Sequence, residues 1–118
     1  MPVNLRMLRF PAAAAVAAWA CAAQAHDYPT SERVIYVESC MRDHPGGHYE
    51  MLNKCSCVLD AIASVLSYDD YVEMSTALNA NTIGGEGGSV IRDAPLLQDQ
   101  IKQFKAVQAK AQKSCFIQ

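Results

Sequence analysis

Apolar residues recur every three or four positions through most of this chain, which is the spacing of an amphipathic helix. The most regular run consists of Leu52, Cys55, Leu59, Ile62 and Leu66. It predicts a helix from about His48 to Leu66. Because Met51, Val58 and Val65 widen its apolar face, we expect this helix to be the central and most buried one.

A shorter run of the same spacing predicts the helix that precedes it. Its apolar stripe consists of Val34, Val37 and Met41. Thr30 or Ser31 is expected to cap its start. The segment Pro45-Gly46-Gly47 ends it, because proline removes a backbone donor and glycine favours turns. The two helices therefore form an antiparallel hairpin about a turn at residues 44–48.

Two more helices are predicted towards the carboxyl end. Ser67, with Asp70 three residues later, resembles a capping box, and the helix it starts should end at residues 79–81. Asp93 is expected to cap the last helix, with Pro95 in its first turn.

The segment between these two helices holds Gly84-Gly85-Glu86-Gly87-Gly88 and is expected to be a flexible loop. Phe116 and Ile117 are expected to pack at the end of the last helix. No segment alternates with period two for long enough to form a strand. The predicted fold class is all-α: one small four-helix domain, residues 26–118, joined by two disulfides.

The first 25 residues resemble a cleaved export signal. Arg6 and Arg9 precede an uncharged apolar run at residues 10–23, and Ala-Gln-Ala at residues 23–25 is a typical cleavage site. The mature chain is therefore expected to begin at His26, in the periplasm, with no stable insertion into the membrane.

Cysteine content fits an exported protein as well. Cys21 falls within the signal and lacks the flanking residues of a lipoprotein site, so we do not expect a lipid anchor there. The four cysteines that remain are Cys40, Cys55, Cys57 and Cys115. In a short exported chain such a set predicts two disulfides.

Helix geometry favours one pairing of these cysteines. Cys55 and Cys57 lie about 200° apart around a helix and cannot bond each other. Cys40 precedes the turn, and Cys55 is closer to its level than Cys57 by roughly 3 Å. The favoured pairs are Cys40–Cys55 and Cys57–Cys115, while the swapped pairs, Cys40–Cys57 and Cys55–Cys115, stay open.

Net charge argues against one class of partner. The chain has ten basic and twelve acidic residues, and loss of Arg6 and Arg9 leaves eight against twelve, a net charge of −4. A general nucleic-acid-binding protein requires the opposite balance.

Residues 40–57 suggest a metal site as an alternative. Cysteine, histidine and methionine are concentrated there, and such ligands suit copper or zinc. The candidate histidines are His44, His48 and, at the expected mature N-terminus, His26. Two observations oppose this hypothesis: an oxidising compartment converts thiols to disulfides, and the spacing fits no standard zinc motif.

No pattern predicts catalysis or a cofactor. The serines are not in a nucleophile elbow, and the glycine-rich segment lacks the residues of a phosphate-binding loop. We therefore predict a protein that acts by binding. The expected contacts lie on two loops, because loops on a rigid scaffold often carry function. They are His44, Gly46, Gly47 and His48 in one loop and Gly84, Gly85, Glu86, Gly87 and Gly88 in the other.

Several short segments together resemble those of a group of small exported four-cysteine proteins of Proteobacteria. The segments are Glu38-Ser39-Cys40-Met41, Cys55-Ser56-Cys57 with Asp60, Ser67-Tyr68-Asp69-Asp70-Tyr71, Arg92-Asp93 and Cys115-Phe116. The group is associated with gene neighbourhoods of alcohol dehydrogenases that depend on pyrroloquinoline quinone. The resemblance implies an accessory role in periplasmic alcohol oxidation, with a quinoprotein dehydrogenase or its cytochrome as partner. A small stress chaperone or an inhibitor is the other alternative.

Overall fold

The computed structural model describes residues 27–118, which form five α helices in an all-α domain. Their bounds are α1 Thr30–Asp43, α2 His48–Ala63, α3 Tyr68–Ala80, α4 Gly85–Arg92 and α5 Pro95–Ser114. The all-α prediction is confirmed, but the predicted count of four helices is wrong. The predicted signal, Cys21 and His26 lie outside the described residues. No helix within the described range is long and apolar enough to cross a bilayer.

Helix α5 organises the domain by packing against α2, α3 and the short helix α4. Its carboxyl-terminal half lies antiparallel to α2, where Cys57 is bonded to Cys115. Its amino-terminal half packs against α3, where the Tyr71 and Phe104 rings lie 5.9 Å apart. Helix α1 completes the fold by pairing with α2.

The core is centred on α2, as its periodicity predicts. Its largest fully buried side chains are Cys55, Val58, Leu59 and Ile62. Two residues of the same run differ: Leu52 is 36 % exposed, and Leu66 lies after the end of α2 and is half-buried. Leu52 lines the hairpin between α1 and α2. Its side of α2 turns towards α1, away from the core.

Two disulfides join three helices at one end of the domain. Cys40 of α1 is bonded to Cys55 of α2, with Cα atoms 5.8 Å apart. Cys57 of α2 is bonded to Cys115 after α5, with Cα atoms 5.9 Å apart. These are the pairs favoured by the helix levels. The bonds are consistent with an oxidising extracytoplasmic compartment.

The fifth helix corrects the glycine-rich loop. Residues 84–88 do not form a loop, because Gly85–Arg92 is the short helix α4. Arg92 folds back along it, and its guanidinium donates to the Ile83 carbonyl at 2.9 Å and the Gly85 carbonyl at 3.1 Å. Gly88 is buried against Ile83, where a Cβ would overlap the carbonyl oxygen. Tertiary packing therefore overrides the weak helix propensity of glycine.

The helix starts follow the predictions in part. Ser67 caps α3, because its hydroxyl accepts from the Asp70 amide at 3.1 Å, and Pro95 is the first residue of α5. The Asp93 cap is wrong: Asp93 closes α4 by donating its amide to the Ser89 carbonyl at 2.9 Å, and Ala94 precedes α5. Because α4 ends at Asp93, the Asp93 backbone stays helical. The N-cap residue of a helix requires a non-helical backbone, so Asp93 cannot cap α5.

A tyrosine cluster attaches the segment before α1 to the far end of α2. Tyr28 is 2 % exposed, and its hydroxyl donates to the Leu66 carbonyl at 3.1 Å. Its ring lies 5.4 Å from Tyr68 and 4.9 Å from Tyr71. Burial raises the pKa of Tyr28 to about 12, because the charged phenolate is poorly solvated there.

Candidate functional site: a cleft at the disulfide-bonded end

A cleft lies where the turn between α1 and α2 meets the residues after α5. We call it the turn cleft, and its volume is about 460 Å³. It is lined by Asp43, His44, Pro45, Met51, Lys54, Phe116, Ile117 and Gln118. The hairpin of α1 and α2 and the distant residues 116–118 therefore contribute to one surface.

The disulfides explain why these segments stay together. Cys40–Cys55 fixes the last turn of α1 to α2, and Cys57–Cys115 fixes the end of α5 to the same helix. His44 closes α1 by donating its amide to the Cys40 carbonyl at 2.9 Å. Both bonds lie next to the turn cleft, so its geometry depends on two covalent links rather than on packing alone.

Phe116 is the unusual residue of the cleft. It is the one non-glycine residue with positive φ among residues 27–118, at 61°. It follows α5 in a Schellman motif: the Ile117 amide donates to Gln112 at 3.0 Å and the Phe116 amide to Lys113 at 3.4 Å. Glycine is the usual residue at this position.

The Phe116 ring is also the most exposed part of this segment. It is 81 % exposed, whereas its neighbours Cys115 and Ile117 are 3 % and 8 % exposed. The expectation that Phe116 packs at the end of α5 is therefore wrong, while that for Ile117 is confirmed. The left-handed backbone is the cause, because it turns Ile117 inward and leaves Phe116 outside.

The rest of the cleft is mixed in polarity. Met51 supplies its apolar floor and is 8 % exposed. Lys54 forms an ion pair with Glu50 at 2.7 Å, and its hydrogen bond lowers the pKa of the Glu50 carboxyl. Asp43 and His44 form the opposite rim. Such a surface can hold an apolar group between charged or polar neighbours.

A second concave surface lies between α1 and α2, and we call it the hairpin groove. Its volume is about 380 Å³. It is lined by Arg33, Val34, Val37, Glu38, Met41, His48, Leu52 and Ser56. The apolar stripe of α1 therefore lines an open groove. Val34 is 51 % exposed.

The structure separates the predicted metal ligands. His44 lies in the turn cleft, with its Nε2 3.5 Å from the Gln112 amide nitrogen, whereas His48 lies in the hairpin groove. The four described cysteines form the disulfides Cys40–Cys55 and Cys57–Cys115, so none of them offers a thiolate to a metal ion. Within residues 27–118, no three His, Cys, Asp or Glu side chains are close enough to hold a metal ion.

The two predicted contact segments do not form one surface. His44 lies beside Gln112, near the end of α5. The glycine segment begins α4, which is hydrogen-bonded to Gln98 near the start of α5 through the Ile91 carbonyl at 3.0 Å. These points of α5 are about 21 Å apart along its axis. Only the residues near His44 share a cleft with Phe116.

Sequence reasoning missed Phe116 as a candidate site residue. Its signal was a large apolar residue directly after the cysteine that ends the last helix, where glycine is expected.

The chain matches no protein-family model, no curated protein and no solved structure.

Proposed function

We propose that this protein is an exported periplasmic accessory protein that acts by binding a partner protein at the turn cleft, rather than by catalysis. The disulfides and the predicted signal support export. The mixed apolar and polar surface of the cleft supports binding. Of the contacts predicted at the turn of residues 44–48, His44 lines this site.

The exposed, left-handed Phe116 carries the proposal. An exposed phenyl ring gives the free protein no burial energy, and a left-handed backbone at a bulky residue costs about 1–2 kcal/mol. Cys115 and Ile117 hold the backbone on both sides of it, so the backbone that carries the ring has little freedom to lose when a partner covers it. A large aromatic side chain with these properties is typical of a binding hot spot.

The sequence resemblance supplies the candidate partners. A quinoprotein dehydrogenase or its cytochrome is the partner that we propose. Phe116 would enter an apolar pocket of that partner. Asp43, His44 and Lys54 would then contact polar groups around the pocket, which gives orientation rather than most of the affinity.

The test measures binding of the purified protein to a purified quinoprotein dehydrogenase and to its cytochrome. We expect Phe116→Ala to weaken binding at least tenfold, as is usual for a hot-spot aromatic. Leu96→Ala is the matched control, because Leu96 is also 81 % exposed but lies at the start of α5. It should bind as the unchanged protein does.

Two outcomes contradict the proposal. Equal loss of affinity in the Phe116 and Leu96 variants indicates nonspecific apolar adhesion. Unchanged affinity in the Phe116 variant removes the turn cleft as the site. If neither candidate protein binds, periplasmic proteins are recovered with the wild-type protein and with the Phe116→Ala variant. A protein recovered by the wild type alone shows that the proposed partner is wrong but the site is right. Equal recovery by both shows that the site is wrong.

A further inference from the structure

Helix α1 is the outermost long helix of the domain. It packs chiefly against α2, whereas α2 packs against two helices and α5 against three. The side of α1 that faces away from α5 carries Val34, Val37 and Met41, which line the hairpin groove with Leu52 of α2. Hydrophobic periodicity assigns these three residues to a buried face, but residues 27–118 cover it only in part, because Val37 and Met41 are half-buried and Val34 is 51 % exposed.

The charges beside this stripe identify what can cover it. Glu38 and Arg42 lie one helical turn apart and are both exposed. Neither forms an ion pair within the described range. An acid and a base on the same edge of a helix complement the same edge of an identical helix that runs in the opposite direction.

We infer that the protein forms a two-fold symmetric dimer through this face of α1, with a second copy as the occupant of the hairpin groove. A two-fold axis beside Ser39 brings Val37 of one copy level with Met41 of the other. Glu38 then lies within about 3 Å in height of Arg42 of the second copy. The symmetry repeats both contacts, as a self-complementary interface requires.

The interface is independent of the proposed partner site. The hairpin groove and the turn cleft share no lining residue. In the dimer, α1 and α2 of both copies form a four-helix arrangement, and the turn clefts stay open. Two copies of the partner site are then presented on one particle.

The size of the face limits the strength of the dimer. A helix of 14 residues is about 21 Å long, so its face is smaller than the roughly 800 Å² per partner of a standard stable interface. We therefore expect a dimer that dissociates in the micromolar to millimolar range, in rapid exchange.

The test is sedimentation equilibrium of the oxidised protein over a concentration series up to about 1 mM. This is the upper end of the dissociation constants expected for so small an interface. Glu38→Arg and Arg42→Glu should each weaken dimerisation about fivefold or more, because each places two like-charge pairs in the interface. The double swap, Glu38→Arg with Arg42→Glu, should restore it. Lys102→Glu, on the exposed side of α5, is the control and should leave dimerisation unchanged.

These outcomes decide the inference. A monomer at every concentration overturns it, and so does a dimer that is indifferent to the single swaps or is not restored by the double swap. Both residues are exposed, so circular dichroism should show the same helix content in all variants. Phe116→Ala should dimerise normally, and the double swap should bind the partner normally, so failure here is distinct from failure of the proposed function.

Discussion

Cys55 and Cys57 are only two residues apart in α2, yet Cys55 is fully buried and Cys57 is exposed. They lie on different sides of the helix and are bonded to different neighbours. Cys55 joins α1 through Cys40, which is 7 % exposed, whereas Cys57 joins the end of α5. The Cys40–Cys55 bond is therefore shielded from solvent at both ends, whereas Cys57–Cys115 is accessible at Cys57, although Cys115 is only 3 % exposed.

This difference predicts stepwise reduction. Thiol–disulfide exchange requires access of the attacking thiolate to a sulfur. Mild dithiothreitol treatment should therefore reduce Cys57–Cys115 before Cys40–Cys55. Alkylation of the released thiols, followed by peptide fragmentation in a mass spectrometer, should label Cys57 and Cys115 first. Earlier labelling of Cys40 would show that local opening, rather than surface exposure, controls the reaction.

Replacing Phe116 by glycine should stabilise the protein while it weakens partner binding. Glycine adopts positive φ without the steric cost that phenylalanine has at 61°, so we expect the free energy of unfolding to increase by about 1 kcal/mol. Chemical denaturation of the oxidised protein measures this change. Phe116→Ala is the control, because it removes the ring but keeps a Cβ, and it should not be stabilising. Equal stability of both variants would mean that the backbone cost at this position is negligible.

Two glycines of α4 should respond in opposite ways to alanine. Gly88→Ala should destabilise α4, because the new Cβ would overlap the Ile83 carbonyl oxygen and lie 2.7 Å from Nη1 of Arg92. Gly87→Ala has nothing within 4 Å of its Cβ and should stabilise the helix by about 0.5–1 kcal/mol. Amide hydrogen exchange within Gly85–Arg92 measures both effects. Stabilisation by both substitutions would contradict the close packing of Gly88.

The tyrosines predict loss of stability at alkaline pH. Burial raises the pKa of Tyr28 from 10.0 to about 12, and it also raises those of Tyr36 and Tyr71. The folded state therefore holds these protons more tightly than the unfolded state. Their stabilisation is complete below pH 10 and is lost as the pH rises towards 12 and above.

Urea denaturation at a series of pH values measures this effect. The free energy of unfolding should decrease above pH 10, and the decrease should be smaller in Tyr28→Phe, which has no phenol to ionise. Tyr28→Phe will be less stable at neutral pH, because it loses the hydrogen bond to the Leu66 carbonyl. An identical slope in the variant and the unchanged protein would remove Tyr28 as a cause.

Local patterns in the sequence determined most of the helices. The run from Leu52 to Leu66 predicted the central helix, and the Ser67 cap predicted the start of α3. These signals act between residues three or four positions apart, so they do not require knowledge of the fold. Helix geometry placed Cys55 and Cys57 on different sides and favoured Cys40–Cys55 by level, but only the structure decided against the swapped pairs.

The tertiary structure decided the features that depend on distant residues. Gly88 lies in a helix because it fits against Ile83 and because Arg92 holds the segment, and neither contact is visible in a glycine-rich sequence. The stripe of Val34, Val37 and Met41 has the periodicity of a buried face, but the packing of α1 on α2 leaves Val34 exposed and Val37 and Met41 only half-buried. Periodicity indicates which residues share a face, whereas only the packing of whole helices determines what that face meets.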